Sequence, residues 1–580
     1  MEDQAKITNS TQEISFSQML QGNSVANIPL FQRGYAWGKS EFNELYADIF
    51  RVINDDTIQS QFMGVVIVFE QSGGGFGSPN LLDVVDGQQR LFTCYLTILA
   101  AQEVALDYGD ENFAIRLRDI LCINQLDVDF NTRLVPPAQD RWQFSDICTK
   151  IATHKNVTTE RWGDKLPRPP KASGERSGRL EKQYNLIKKT LKQTYLDQGK
   201  DGKILEKICR CVTENLGFII VTLKHPASAP DIFERLNSRG VKITTADLVR
   251  NEIFSRLSDD PDEARSIYDL HWKPFENKYD SHNVSLDSLL FPYGLMIDSN
   301  IKQANLFNTL RLCWKNKNPE EIIKDLEIYT PALLALKSDY KLENCPENLR
   351  SFIARFKVAN LPTATYSFVL RAIQAVINDE QNEADVIGAF GAIDSLLVRR
   401  AIKGIEPGGL HAIFKGMWRK IMEDGDGVIN FSSVKKAIGE RLPWPDDDEF
   451  IKAILEQPLY GKKIAHYVIG QYEQSVARET PNQKFEIEHI IPKTPNAHWS
   501  AILDETPVSI VHTWGNLIPL TSAMNKEESR NPFAKKKLAY KQSMFASSRT
   551  IHEEYPEWNP DSINYRGKKI AKWASVYWPK

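Results

Sequence analysis

The feature that most constrains the fold is a strand-like run, a glycine and a helix-like run in direct succession. Residues 81–86 (Leu-Leu-Asp-Val-Val-Asp) are β-like, Gly87 permits a tight turn, and apolar residues recur at helical spacing after Gln88. A helix that starts there presents free N–H groups and a partial positive charge at the end of a strand. The pattern predicts an α/β domain with a turn suited to an anion such as a phosphate.

Further strand candidates lie on either side of this unit. Met63–Phe69 and Gly217–Leu223 are rich in Val and Ile, as strands are. Gln71–Pro79 (Gln-Ser-Gly-Gly-Gly-Phe-Gly-Ser-Pro) is a turn-rich connection, so we expect Met63–Phe69 and Leu81–Val85 to form a hairpin.

Beyond the first 250 residues the texture of the sequence changes twice. Residues 251–470 show helical periodicity, and residues 471–580 are short segments broken by Pro and Asn. We therefore predict an α+β multidomain protein with an α/β domain over 1–250, a helical linker domain over 251–470 and a third domain over 471–580.

The net charge and the short apolar runs argue against two classes of protein, a uniformly basic nucleic-acid-binding protein and a membrane-spanning protein. Lys+Arg 72 against Asp+Glu 75 gives a net charge of -3, so contact with nucleic acid must come from local patches. The apolar runs are far shorter than the ~20 residues that span a bilayer, and the first residues lack the pattern of a signal peptide. The seven scattered cysteines are typical of buried thiols in a reducing compartment. We expect a cytoplasmic protein with no membrane partner.

The most informative motif for chemistry is Phe485–Pro492 (Phe-Glu-Ile-Glu-His-Ile-Ile-Pro), followed by the turn at Asn516 and by Asn525. Its two glutamates alternate with apolar residues, so in a strand both carboxylates share one face. A histidine titrates near neutral pH and is suited to deprotonating a water molecule. Carboxylate and amide oxygens suit a hard cation such as Mg²⁺ or Mn²⁺, which neutralises a scissile phosphate.

This order of Glu-His, Gly-Asn and Asn resembles the HNH (ββα-metal) nuclease family, in a variant that ends on Asn rather than His. The resemblance implies that His489 is the general base, that Glu488 and Asn525 bind Mg²⁺ or Mn²⁺, and that Asn516 orients His489. One imidazole and one metal fit a single-strand cut per site. A basic segment follows, whose lysines we expect to contact DNA phosphates: Lys526, Lys535, Lys536 and Lys537. The alternative is a chance surface pair, an ordinary turn and a solvated helix face.

The predicted turn at Gly87, between the strand-like and helix-like runs, has its own polar residues in the motif Asp86-Gly87-Gln88-Gln89-Arg90. Glycine permits close approach of the backbone, arginine pairs with phosphate oxygens, and aspartate binds Mg²⁺ or polarises water. The spacing is not that of a P-loop. The alternative is a capped strand–helix turn with no ligand.

Two more segments reinforce that motif: Ile28–Trp37 (Ile-Pro-Leu-Phe-Gln-Arg-Gly-Tyr-Ala-Trp) and Ile232–Asp247, which contains Phe-Glu-Arg-Leu-Asn-Ser-Arg-Gly. Together the three resemble the ParB/sulfiredoxin-like domain of GmrSD-type restriction enzymes. With the HNH-like end, the resemblance covers nearly the whole chain. It implies binding and hydrolysis of a nucleoside triphosphate (GTP or ATP) at Asp86–Arg90, with Asn237 and Arg239 in the nucleotide site.

The resemblance also implies recognition of modified double-stranded DNA. Relatives act on DNA with glucosylated hydroxymethylcytosine, and the SspE proteins sense phosphorothioate DNA. The candidate residues for this recognition share one short segment: Pro29, Phe31, Gln32, Arg33, Tyr35 and Trp37. An apolar rim with an arginine suits a phosphorothioate sulfur, but a glucose ring also stacks on aromatic faces, and the same aromatic residues could equally form core.

These features predict a modification-dependent DNA endonuclease of bacterial anti-phage defence. It would sense modified DNA with nucleotide hydrolysis in its N-terminal domain and cut with its HNH domain. The alternative is a non-catalytic, ParB-like DNA-binding regulator with a degenerate HNH fold. The sequence leaves the oligomeric state open, with a homodimer as one option.

Overall fold

The computed structural model describes residues 8–29, 32–70, 79–123, 130–223, 244–257, 261–423, 425–477, 484–528 and 531–580. The chain divides into two compact units, the first comprising Met1–Pro274 and Trp314–Ile322, the second Phe275–Cys313 and Ile323–Lys580. The described residues of the first unit form a six-stranded sheet, and those of the second a two-stranded sheet among many helices. A mixed α and β architecture is confirmed, and the three-domain division stays a prediction.

The sheet of the first unit is mixed in strand direction. Its order is β1-β6-β3-β4-β2-β5, with β3 antiparallel to β4 and parallel to β6. The strands are β1 (Thr8–Ser15), β2 (Ser24–Asn27), β3 (Gln61–Glu70), β4 (Asn80–Asp86), β5 (Leu134–Val135) and β6 (Leu216–Leu223). Three of them confirm the predicted strands. The β3–β4 pairing agrees with the predicted hairpin, although residues 71–78 of its connection lie outside the described residues.

The first unit has ten described α-helices, of which the first eight share one hydrophobic core with this sheet. They are α1 (Phe16–Met19), α2 (Lys39–Asn54), α3 (Gln88–Asp107), α4 (Glu111–Leu121), α5 (Arg141–Ala152), α6 (Thr159–Trp162), α7 (Arg179–Asp197), α8 (Gly202–Arg210), α9 (Thr245–Ser255) and α10 (Pro261–Ile267). Helix α3 is buried along almost its whole length, because apolar or small residues occupy every face of it. It forms the centre of the core, and the start of α3 therefore has a fixed position at the end of β4.

In its described residues, the second unit is helical apart from one antiparallel pair of short strands. Two of its helices, α11 (Lys273–Ser281) and α14 (Pro319–Lys337), have their first residues assigned to the first unit. The others are α12 (Asp287–Ile297), α13 (Leu306–Cys313), α15 (Glu347–Ala359), α16 (Tyr366–Ile377), α17 (Glu383–Lys403), α18 (Leu410–Met422), α19 (Phe431–Ile438), α20 (Asp447–Glu456), α21 (Ala465–Val476), α22 (Ala497–Leu503), α23 (Ser522–Glu528), α24 (Phe533–Lys541), α25 (Ala546–Glu554) and α26 (Pro560–Tyr577). The strands are β7 (Glu486–His489) and β8 (Leu517–Leu520).

The helical region and the C-terminal region of the second unit share one hydrophobic core. Tyr467 on α21 packs in the same cluster as Trp514, Leu517 and the last helix, α26, which contributes Ile570 and is followed by Trp578. A buried carboxylate adds a polar link, since Glu473 at the end of α21 accepts the N–H groups of Ala546 (2.6 Å) and Ser547 (2.9 Å) at the start of α25. The strands β7 and β8 are therefore held by helices that precede them in sequence.

The structure bears on the predictions made for the cysteines and for membrane-spanning helices. All seven cysteines are free, and all except Cys313 are buried, as predicted for structural thiols. Within the described ranges, none of the helices combines the length and the apolarity needed to cross a bilayer.

Candidate functional sites

The C-terminal motif forms two strands followed by a helix. Strand β7 pairs antiparallel with β8, with Glu488 opposite Ile518 and His489 opposite Leu517. Asn516 immediately precedes β8, so the pairing brings it beside the end of β7 that carries His489. Helix α23 starts two residues after β8 and carries Asn525. The ββα order predicted from the motif is therefore present in these residues.

Asn516 is fully buried, and all polar atoms of its side chain are used. Its Nδ2 donates to the carbonyl oxygens of Ile491 and Val511, both at 2.9 Å. Its Oδ1 accepts the N–H of Ile491 at 2.9 Å and the indole N–H of Trp558 at 3.0 Å. The backbone oxygen of Asn516 also accepts the N–H of Ile490. These bonds fix the backbone directly after His489, which is how a turn asparagine can orient a neighbouring imidazole.

His489 is buried and lies beside a second histidine that the sequence motif did not reveal. Its Nε2 is 3.2 Å from Nδ1 of His512, and its ring packs edge-on against Tyr460. Burial, together with the neighbouring His512, Lys536 and Lys493, lowers the pKa of His489 to about 3. Burial and Lys493 also lower the pKa of His512. Both imidazoles are therefore neutral at neutral pH, so each has one nitrogen able to accept a proton.

Glu488 forms a buried ion pair. The ammonium Nζ of Lys536 is 2.5 Å from its Oε1 and also donates to the carbonyl oxygen of His489 at 2.9 Å. Burial raises the pKa of Glu488, while Lys536 and the hydroxyl of Tyr540 act in the opposite direction. The structure corrects the prediction that Lys536 contacts DNA phosphates, because this side chain is 0% exposed. Of the other predicted phosphate contacts, Lys526 and Lys535 are exposed and Lys537 is half-buried.

The predicted metal ligands have different neighbours. Asn525 donates through Nδ2 to Oε2 of Glu486 at 2.8 Å, whereas Glu488 contacts Lys536. Hydrogen bonds from Asn525 and Ser522 lower the pKa of the exposed Glu486. No cluster of three His, Cys, Asp or Glu suited to a metal occurs among the described residues. The carboxylate of Glu488 is already neutralised, so the residues as they stand do not fit the predicted Glu488–Asn525 metal site.

The N-terminal motif has the predicted geometry of a strand, a turn and a helix. Strand β4 ends at Asp86 and α3 begins at Gln88. Gly87 between them has φ +86°, and a Cβ there would lie 2.8 Å from Cγ2 of Val66, so only glycine fits without displacement. Burial raises the pKa of Asp86, while the N–H of Gly87 and the charges of Arg90 and Arg33 oppose that shift.

Gln89 and Arg90 of this motif hydrogen-bond to the backbone of neighbouring segments. Gln89 accepts the N–H of Ala36 at 2.7 Å and that of Trp37 at 3.3 Å. Arg90 donates through Nη1 to the carbonyl oxygen of Val65 at 3.1 Å. Gln88 is buried, and its Oε1 has no hydrogen-bond partner among the described residues. These contacts hold the segment at 34–37 against the start of α3.

The segment proposed to recognise modified DNA is partly core. Tyr35 is buried, its hydroxyl lies 2.6 Å from that of Thr93, and its N–H donates to Asp140. Tyr35 is therefore not exposed to a DNA ligand, because its ring fills the core beside Phe92.

The rest of this set is more open, although Gln32 is also buried and donates to Asn251 at 3.0 Å. Pro29, Arg33 and Trp37 are half-buried. Arg33 lies 3.5 Å from Asp247. Three predicted site residues lie outside the described residues: Phe31, Asn237 and Arg239.

Each of the two sites lies in a region of the chain that matches a domain model of one known enzyme family. The family model for the N-terminal domain of GmrSD restriction endonuclease matches residues 16–254, and the model for the C-terminal domain of GmrSD restriction endonucleases matches residues 444–573. These two matches indicate a restriction endonuclease, a class of enzyme whose substrate is DNA. The chain belongs to the GmrSD restriction endonuclease family, as its motifs predicted. A comparison with curated proteins gave no match.

The C-terminal match begins well before residue 471. It includes α20 and α21, which pack in the same core as Trp514 and Trp578. A C-terminal unit that begins near residue 444 would therefore keep most of this core, without Val398 and Ile402 of α17.

Proposed function

We propose that this protein is a modification-dependent DNA endonuclease of bacterial anti-phage defence and cuts DNA at the β7–β8–α23 site. The observation that carries the proposal is the neutral, buried His489 beside His512, with its backbone anchored by Asn516. A neutral imidazole of this kind is suited to accept a proton from the water that attacks a phosphodiester. His512 offers a second position for that proton, at 3.2 Å.

The environment of His489 links its basicity to the substrate. A base with a pKa of about 3 is weak at neutral pH, because proton transfer works best near the operating pH. A DNA phosphate adjacent to the imidazole stabilises its protonated form and raises its pKa. We infer that His489 becomes an effective base only when a phosphate is bound, which restrains the enzyme in the absence of DNA.

Dependence on Mg²⁺ or Mn²⁺ remains part of the proposal, with its ligands open. Glu486 and Asn525 form an exposed pair of oxygen-bearing side chains, whereas Glu488 is paired with Lys536. The same ion pair is the observation that favours the alternative function, a non-catalytic DNA-binding regulator. A cleavage assay separates the two.

For the first unit we propose binding and hydrolysis of a nucleoside triphosphate (GTP or ATP) at Asp86–Arg90. In support, this turn places Gly87 and the N-terminus of α3 next to Asp86 and Arg90. The modification that the enzyme senses is a phosphorothioate or a glucosylated hydroxymethylcytosine. Asp86→Ala or Arg90→Ala is expected to suppress hydrolysis, and hydrolysis that survives both changes would place the phosphate site elsewhere.

The direct test of the cutting site is a plasmid-cleavage assay with His489→Ala. Loss of a general base typically removes ~10²–10⁴ of the rate. The matched control is His498→Ala, since His498 is an exposed histidine of the same unit. Normal cleavage by purified His489→Ala, which should still bind DNA, would rule out this site as the cutter.

A further inference from the structure

A pocket lies in the first unit, between the start of α2 and the first turns of α7. Its volume is about 460 Å³, within the range of small-ligand sites, which runs from roughly 300 to 1,000 Å³. Its lining comes from residues 36–41 and from α7, and it includes none of the residues Asp86–Arg90. Neither the cutting site nor the nucleotide turn described above makes use of it.

The charged residues of this pocket favour an anion. Lys39, Arg179 and Lys182 supply three cationic side chains, against the single carboxylate of Glu41. That carboxylate already accepts the N–H of Gly38 at 2.9 Å at the start of α2. Arg179 uses one nitrogen to donate to the carbonyl oxygen of Ala36 at 2.7 Å, and a guanidinium carries further N–H groups that can bind an anion.

An independent observation points to a missing acceptor. Gln183 lines the pocket and is 4% exposed, yet its Nε2 has no hydrogen-bond partner among the described residues. A buried donor left unpaired costs about 1–3 kcal/mol, so such groups are uncommon unless a ligand or water satisfies them. An oxygen atom of a bound anion would satisfy this amide.

Trp37 completes the lining and indicates what the anion is attached to. Its backbone N–H is held by Gln89 and its ring is partly packed on the core, so its position is defined. Indole rings bind nucleobases and sugars by stacking. We propose that this pocket binds a phosphorylated nucleoside, with the phosphate among Lys39, Arg179 and Lys182 and the nucleoside against Trp37. A free nucleotide and a nucleotide within a DNA strand share this chemistry.

The test is calorimetric titration of the full-length protein with GTP, with ATP and with a short unmodified DNA duplex. Lys182→Ala and Gln183→Leu are compared with wild type, and Lys207→Ala, an exposed lysine of α8, is the matched control. Loss of one hydrogen bond to a charged group corresponds to about a tenfold or greater loss of affinity. Gln183→Leu removes an unpaired buried amide, so its melting temperature should not fall.

The outcomes separate the sources of the ligand. Weakening of GTP or ATP binding alone identifies a free-nucleotide site, and weakening of duplex binding alone identifies a DNA contact. If both pocket variants bind every probe as tightly as Lys207→Ala, or if wild type binds none of them, the proposal is overturned. Asp86→Ala is titrated in parallel, so that loss of nucleotide at the β4–α3 turn is not mistaken for loss at this pocket. Cleavage is not part of the readout, so failure of the proposed endonuclease function would leave this result unaffected.

Discussion

The β4–α3 turn and the β7–β8–α23 site use their polar residues in opposite ways. At the turn, Gln89 and Arg90 hydrogen-bond to backbone groups of neighbouring segments. At the C-terminal site, titratable side chains contact each other: Glu488 with Lys536, and His489 with His512. The first arrangement positions a segment, whereas the second perturbs proton affinities, which is typical of a catalytic centre. Two motifs of similar polarity can therefore differ in whether the folded chain already brings their titratable side chains into contact.

We expect the largest loss of stability from breaking the Glu488–Lys536 ion pair of the C-terminal site. Lys536→Met leaves the buried Glu488 without its cation, and breaking a buried pair in this way costs about 3–5 kcal/mol. Urea unfolding measures the loss. The control is Lys535→Met on the exposed side of α24, which should stay within about 0.5 kcal/mol of wild type.

A double variant sharpens this result. Glu488→Leu combined with Lys536→Met removes both charges and should recover much of the lost stability, because an apolar pair of similar size replaces a buried ion pair at little cost. Equal stability of Lys536→Met and Lys535→Met would show that the pair does not form in solution.

The next effect concerns the anchor of His489. Asn516→Ala leaves two carbonyl oxygens, one backbone N–H and one indole N–H without their partner. Orphaned buried groups cost about 1–3 kcal/mol each, with partial relief from water, so we expect a loss of about 3 kcal/mol in the free energy of unfolding. Asn305→Ala, at an exposed asparagine of the same unit, is the control. A loss no larger than that of the control would contradict the role of Asn516 in holding the backbone after His489.

Substitution of Gly87 tests the packing of the β4–α3 turn. Gly87→Ala places a methyl group 2.8 Å from Cγ2 of Val66 at φ +86°, and strain of this kind costs about 1–3 kcal/mol. Gly109 is a matched control because its φ is +84° and a Cβ there meets nothing within 4 Å. Thermal melts of both variants separate the backbone strain from the clash. If Gly109→Ala is as damaging as Gly87→Ala, close packing at the turn is not what requires glycine.

The smallest expected effect is on the pH dependence of stability. The pKa of His489 falls from 6.5 to about 3 on folding because the ring is buried. The unfolded chain therefore binds the extra proton first, so this contribution to stability is present above about pH 6.5 and is lost as the pH falls toward 3. His489→Gln should lose less stability than wild type between about pH 7 and pH 5 in urea titrations. His512, whose pKa is also lowered, should leave a residual slope, and an unchanged slope in His489→Gln would contradict a neutral, buried imidazole.

The sequence predicted local features well. The end of β4 and the start of α3 follow from a β-branched run, a glycine and helical periodicity, and the structure places them at Asp86 and Gln88. The order of Glu488, His489, Asn516 and Asn525 was also sufficient to indicate a ββα arrangement. Such signals lie within a few turns of chain and do not depend on tertiary packing.

Contacts between distant segments could not be predicted in the same way. His512 and Lys536 reach the site through the turn before β8 and through α24, and no local pattern marks either residue. Only the strand register, once known, would have directed attention to a histidine so close to Asn516. Strand β1 was missed because Thr8–Ser15 is polar and gains its structure from pairing with β6. Tyr35 was open to two interpretations because an aromatic residue suits a core and a binding surface equally.

The most direct test of the central claim is cleavage of three duplexes of one sequence, unmodified, phosphorothioate-modified and glucosylated, by wild type and His489→Ala. The reactions contain Mg²⁺ and nucleoside triphosphate. We expect wild type to cut one modified duplex in preference to the unmodified one and His489→Ala to cut none at a comparable rate. Equal cutting of all three duplexes would contradict dependence on modification. Preferential cutting that survives His489→Ala would contradict the assignment of the β7–β8–α23 site.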